Sequence, residues 1–209
     1  MSETEPGAPA QGLVNRVLNL LLHPAETWDA IEAEPATIEG LYRSWVLPLA
    51  AIPAVGRAVG LFSFRGFDIF GIHFGRPGFV SVLGDAVISY VLTLIAVYLM
   101  ALVIDQFALQ FGGERSRTQA FKVAAYSGAA AWVAGIFMVL PEVGGFFSLL
   151  GGIYSLYLLY LGLPKLMRSS PTLALNYFAL TVAAAVLMWI IIDALAHRVT
   201  HFGGPIWIN

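Results

Sequence analysis

The sequence predicts an all-α polytopic membrane protein: five membrane-crossing helices behind an N-terminal amphipathic helix pair. Three observations predict it. Of 209 residues, 58% are hydrophobic and only 11% are charged, whereas a soluble domain carries about 25% charged residues. Mean hydropathy is +0.78. Five apolar stretches, 43–63, 79–104, 120–140, 144–164 and 173–195, approach or exceed the roughly 20 residues that a helix needs to cross a bilayer. The net charge of −2 and the lack of a basic run give no support to nucleic-acid binding. With no cysteine in the chain, disulfides and thiolate chemistry are excluded.

Residues 1–11 are acidic and polar, without a basic stretch leading into an apolar core, and are expected to form a disordered tail rather than a cleavable signal. Residues 12–35, GLVNRVLNLLLHPAETWDAIEAEP, predict two short helices. Pro24 suits the first position of the second, with Glu26 and Asp29 in its early turns. Leu13, Val17, Leu20 and Leu21 share one apolar face that Trp28 and Ile31 continue. The pair is expected to lie in the cytoplasmic membrane interface. The alternative is a docking arm for a partner.

The membrane domain is expected over 43–195. Pro48 and Pro53 each remove a backbone donor from the first span, so a broken or re-entrant span stays open as an alternative. Arg57 sits in the same span. The link 64–78 mixes aromatic residues and glycine and is expected at the interface. In the second span Ser81, Asp85, Ser89 and Thr93 recur every four residues and form one polar stripe, which should face protein or water rather than lipid. Asp85 lies roughly 9 Å along the helix from Phe79, at 1.5 Å per residue. The link 105–119 follows, and Lys122 near the start of the third span is expected to reach back to the interface. Only 141–143 separate spans three and four, which predicts an antiparallel hairpin. A basic turn, PKLMRSSPT, leads to the fifth span, and 196–209 should form an external tail.

Charge sets the orientation. Arg16, Arg43, Arg115, Arg117, Lys122, Lys165 and Arg168 fall on the side of the N-terminus, and Arg57, Arg65, Arg76 and Arg198 on the other. The excess puts the N-terminus in the cytoplasm and the C-terminus outside. Small residues repeat every four positions at Gly56 and Gly60, at Ala124 and Gly128, at Ala131 and Gly135, and at Gly144, Ser148 and Gly152. Such stripes let helices approach closely, within the bundle in the favoured reading and between two copies in the other.

FGGERSRTQAFKVAAYSGAAAWVAGIF (111–137) and GGIYSLYLLYLGLPKLM (151–167), with LLLHPAETWDAIEAE (20–34) ahead of a Pro-containing first span, resemble the bacterial branch of the Yip family of Ypt/Rab-interacting membrane proteins. The resemblance implies five spans, a cytoplasmic N-terminus and residence in a bacterial inner membrane. Eukaryotic members bind small prenylated GTPases, but their acidic Asp-Leu-Tyr-Gly type motif is not found here, so that activity is not carried over.

No phosphate loop, serine elbow or cysteine nucleophile is present, and the chain is expected not to be an enzyme. The leading expectation is a membrane-organising or partner-binding protein, touching the bilayer and either a protein partner or a second copy. An ion pathway or transporter is the alternative, built on Arg57, Ser81, Asp85, Ser89, Thr93 and Asp193. Arg57 is predicted to bridge to Asp85, because both fall in the outer half of neighbouring spans. No cofactor is expected. A weaker alternative is a divalent-metal site at the outer face, with Asp193, His197 and His201 at four-residue spacing and His73 and Glu142 as helpers.

Overall fold

The structure, a computed structural model, describes residues 12–63, 67–69, 72–74 and 78–201. Among the described residues, five helical segments are long and apolar enough to cross a membrane: Ile38–Ser63, Phe79–Phe111, Arg117–Val139, Glu142–Leu166 and Ala174–Ile191. The N-terminal pair, α1 (Leu13–Leu22) and α2 (Pro24–Ala33), precedes them.

The first span starts earlier than its apolar run. Thr37 caps it, its hydroxyl accepting from Gly40 N at 3.0 Å, and α3 (Ile38–Leu41) passes into a π-helical turn, Tyr42–Val46. The cause is Pro48, second residue of α4 (Leu47–Ser63). In a regular helix its ring would press on the Ser44 carbonyl. The wider turn relieves that contact, and Leu47 N reaches back to Tyr42 O instead. The span is therefore deformed but not interrupted. Two tyrosines tie it to its neighbour: Tyr42 donates to Leu94 O at 2.8 Å and Tyr90 to Leu47 O at 3.1 Å.

The link after α4 holds a short antiparallel pair, β1 (Phe67–Ile69) and β2 (Ile72–Phe74), with Asp68 opposite His73. Next, α5 (Phe79–Phe107) runs three residues past the predicted span and takes in Asp105 and Gln106, which the sequence reading assigned to a link. The third span is not one helix. It comprises α6 (Arg117–Ser127), α7 (Ala129–Ala134) and a 3-10 turn, Gly135–Val139. At the break, Ala131 N donates to the Ser155 hydroxyl at 3.0 Å. This span is the centre of the bundle: 56% of its most apolar window is buried, against 11–33% for the other four. Pro141 opens α8 (Pro141–Leu166) as an N-terminal proline should, completing the tight hairpin. The fifth helix, α9 (Ala174–His201), continues through 196–201, which the sequence reading placed in the tail.

Small residues pack within the bundle. A Cβ on Gly56 would lie 2.5 Å from Gly135 O, one on Gly144 2.8 Å from Phe137 O, and one on Gly151 2.8 Å from Ala130 O. On α8 the close approach falls at Gly144 and Gly151, seven residues apart, whereas Gly152 of the predicted stripe meets nothing within 4 Å.

Apolar side chains coat the outside of the bundle, among them Val87, Val91 and Ile95 on α5, Leu149 and Ile153 on α8, and Leu187 and Ile190 on α9. In a soluble protein that would be a large adhesive patch; in a bilayer it is the lipid-facing surface.

Candidate functional site

The intramembrane polar cluster sits where α4 and α5 run side by side. Arg57 Nε lies 3.2 Å from Asp85 Oδ2, with the guanidinium half exposed and the carboxylate mostly covered. The rest of the stripe turns inward on its own helix: Ser89 donates to Ala86 O at 3.1 Å and Thr93 to Ser89 O at 2.8 Å. Ser81 is exposed. The stripe thus borders the α4–α5 groove rather than a sealed interior. The side chains of Asp193, His197, His201 and His73 lie outside the described residues. The backbone of α9 stays helical through His201, so the first three occupy successive turns of one helical face. Glu142 is exposed in the first turn of α8.

A second acid of the same span escaped the sequence reading. Asp105 is 4% exposed and pairs with Arg115 at 3.3 Å. Its position at the end of an apolar run made it look like the start of a loop. Beside it, the Tyr177 hydroxyl donates to Ile104 O.

The larger surprise is at the N-terminal face. The face of α1 and α2 expected to rest on lipid rests on the bundle: Leu20, Trp28 and Ile31 have no exposed surface. The Trp28 indole fills the space over Gly162, where a Cβ would come within 2.5 Å of it. Lys122 does not reach back to water. It is 2% exposed, and its ammonium donates to Ile31 O at 2.7 Å and Glu34 O at 2.6 Å, with Glu32 O at 3.4 Å. These are carbonyls at the C-terminal end of α2, where a helix leaves acceptors unpaired and favours a cation. The Lys165 ammonium pairs with Asp29, Arg168 lies 3.8 Å from Glu32, and Tyr154 donates to Leu21 O at 2.6 Å. A different side of α1 stays uncovered, with Val14, Leu18 and Leu22 exposed one turn apart. The pair is docked on one side and free to meet lipid on the other.

Arg16 completes the clasp. Its NH1 donates to Glu34 Oε1 at 3.1 Å and its NH2 to the other oxygen, while the guanidinium carbon stands 5.3 Å from the Tyr126 ring centroid. Burial works against its charge, but the Glu34 hydrogen bond and the attraction of Tyr126 and Glu34 outweigh it and hold the pKa above the usual guanidinium value. Tyr126 is the hub: the Trp45 ring lies 4.5 Å away and the Trp28 ring 6.2 Å, edge-on. Between this clasp and the start of the first span lies a cavity of about 620 Å³, lined by Arg16, Glu34, Gly40, Trp45, Lys122 and Tyr126 among others.

A family model of the Yip1 domain matches residues 18–192. The chain belongs to the Yip1 family. The matched region takes in the second half of α1, α2 and all five apolar spans, and begins two residues after Arg16. The inner membrane protein YohC of Escherichia coli K12 is 28% identical over 198 residues, covering 91% of this chain and 98% of that protein. The protein of the same name from Escherichia coli O6:H1 strain CFT073 matches equally. No solved structure matches. This Yip1 domain is thus an integral membrane protein with inner-membrane relatives, and its polar groups are concentrated at the α4–α5 groove and the N-terminal face.

Proposed function

We propose that this Yip1-family protein is a non-enzymatic component of the bacterial inner membrane, with its N-terminus in the cytoplasm, and that it organises the membrane or holds a protein partner at its N-terminal face. The observation behind this reading is that Asp85, Asp105, Ser89 and Thr93 of the second span each have a local partner, although one oxygen of Asp105 has no hydrogen bond among the described residues. Asp85 has Arg57, Asp105 has Arg115, and Ser89 and Thr93 bond their own helix. A transport route needs polar groups that exchange partners along a watered path near broken helices. Orientation rests on the excess of Lys and Arg on the N-terminal side.

The test is reconstitution. Purified protein in liposomes should carry no proton or monovalent-cation current above that of empty vesicles, and photo-crosslinkers on the exposed Glu39 and Arg43 should capture one discrete partner in whole cells. A flux that disappears in Asp85→Asn would overturn the reading in favour of an ion pathway. A second reading, a divalent-metal site on α9, is supported by the helical register of Asp193, His197 and His201. Calorimetric titration with zinc, on the intact protein and on His197→Ala, decides it.

A further inference from the structure

We propose that the cavity at the N-terminal face binds the phosphate of an anionic phospholipid headgroup. This goes beyond the role proposed above and does not depend on it. Four observations lead there. The cavity, at about 620 Å³, falls within the roughly 300–1,000 Å³ of small-ligand sites. Its charged lining is Arg16, Lys122 and Glu34, two cations against one anion.

Arg16 also offers spare donors. Each of its terminal nitrogens gives one N–H to Glu34, whereas a guanidinium carries five such donors, and the side chain is 19% exposed. A phosphate oxygen in the cavity accepts from a remaining N–H, and Glu34 fixes the guanidinium for it.

The third observation is height. Thr37, Gly40, Leu41, Ser44 and Trp45 line the cavity, and the first apolar span begins at Ile38. The opening is therefore level with the end of a membrane span, where headgroups lie. Basic pockets between membrane helices at that level recognise lipid phosphates. Finally, the lining is amphiphilic: Leu13, Ile31, Leu41 and Trp45 stand beside the charges, and Val14, Leu18 and Leu22 are exposed on the adjoining helix. A soluble phosphate uses only the charges. A phospholipid uses both, its glycerol region against the apolar wall.

Native mass spectrometry of the full chain in a non-ionic detergent, with equimolar phosphatidylglycerol and phosphatidylcholine, tests this. The expected result is one phosphatidylglycerol retained with about tenfold preference, because phosphatidylcholine carries the same phosphate but also brings a quaternary ammonium up to a wall with an excess of cations. Arg16→Gln should abolish the preference. Because Arg16 also anchors α1, a filling substitution is needed: Ser44→Trp, at an exposed lining position, blocks the cavity with every charge intact and should abolish it too. Ala36→Trp is the second filler if Ser44→Trp melts early. Equal retention of both lipids by the unaltered protein would overturn the proposal, as would a preference that survives in a folded filled variant. Thermal stabilisation by inorganic phosphate without any lipid preference would overturn the lipid as the source of the anion.

Discussion

At the Arg57–Asp85 contact, two charges that would each be costly alone in an apolar layer answer one another. Asp85→Ala and Arg57→Ala should each lower stability, by less than the roughly 3–5 kcal/mol of a fully buried pair, because the Arg57 side chain is 53% exposed. The double mutant should recover part of either loss. Thermal melts of the four proteins in detergent measure this, and strictly additive losses would reject the coupling. The contact was readable because the first and second spans each carry one charged residue well inside, at a matching distance from the link 64–78. Asp105 and Lys122 were not. A charge near the end of a span is explained equally well by solvent access, and only the neighbouring helix reveals that Lys122 faces three carbonyls instead of water.

Among the elements, the N-terminal pair shows the limit of periodicity. The spacing of Leu13, Val17, Leu20 and Leu21 identifies a helix with an apolar face, but lipid and a protein bundle satisfy such a face alike. The groove that takes Trp28 depends on Gly162, about 130 residues away, and no local pattern announces it. Gly162→Val should push the indole out and cost about 1–3 kcal/mol. A glutamyl endopeptidase would then cut faster after Glu32, and unchanged cleavage would argue against the keyed fit. The π-helical turn makes a second prediction. Replacing a helix proline with alanine ordinarily gains stability. Pro48→Ala should instead lose it, since closing the turn to a regular helix rotates Trp45 off Ala125 O, to which its indole donates at 3.1 Å. A raised melting temperature would sink that account. The prolines were legible as a disturbance of the first span; the form of the disturbance follows from the Ser44 carbonyl.

Over the whole molecule, the five spans were legible because a bilayer imposes a length that few other structures share. The broken, central third span was not, because Gly128 and Gly135 read as packing residues whether or not a helix ends there. Orientation is open to direct measurement. Reporters fused after residue 118 and after residue 209 should report cytoplasm and exterior, respectively. An external reporter at 118 would reverse every side assigned here, including the leaflet from which the cavity draws its lipid.

The clasp on the first helices has a temporal meaning. Their anchors are encoded late: the Lys122 bond to Ile31 O spans 91 residues and the Tyr154 bond to Leu21 O spans 133. Ribosomes add about 5–20 residues per second, so these helices emerge first yet wait on the order of ten seconds for the parts that receive them. Throughout that interval Leu20, Trp28 and Ile31 have no home in the nascent chain. A segment translated ahead of every span is among the last to settle, and whatever shelters it meanwhile, lipid or an insertion factor, meets the same apolar face that the finished bundle later hides.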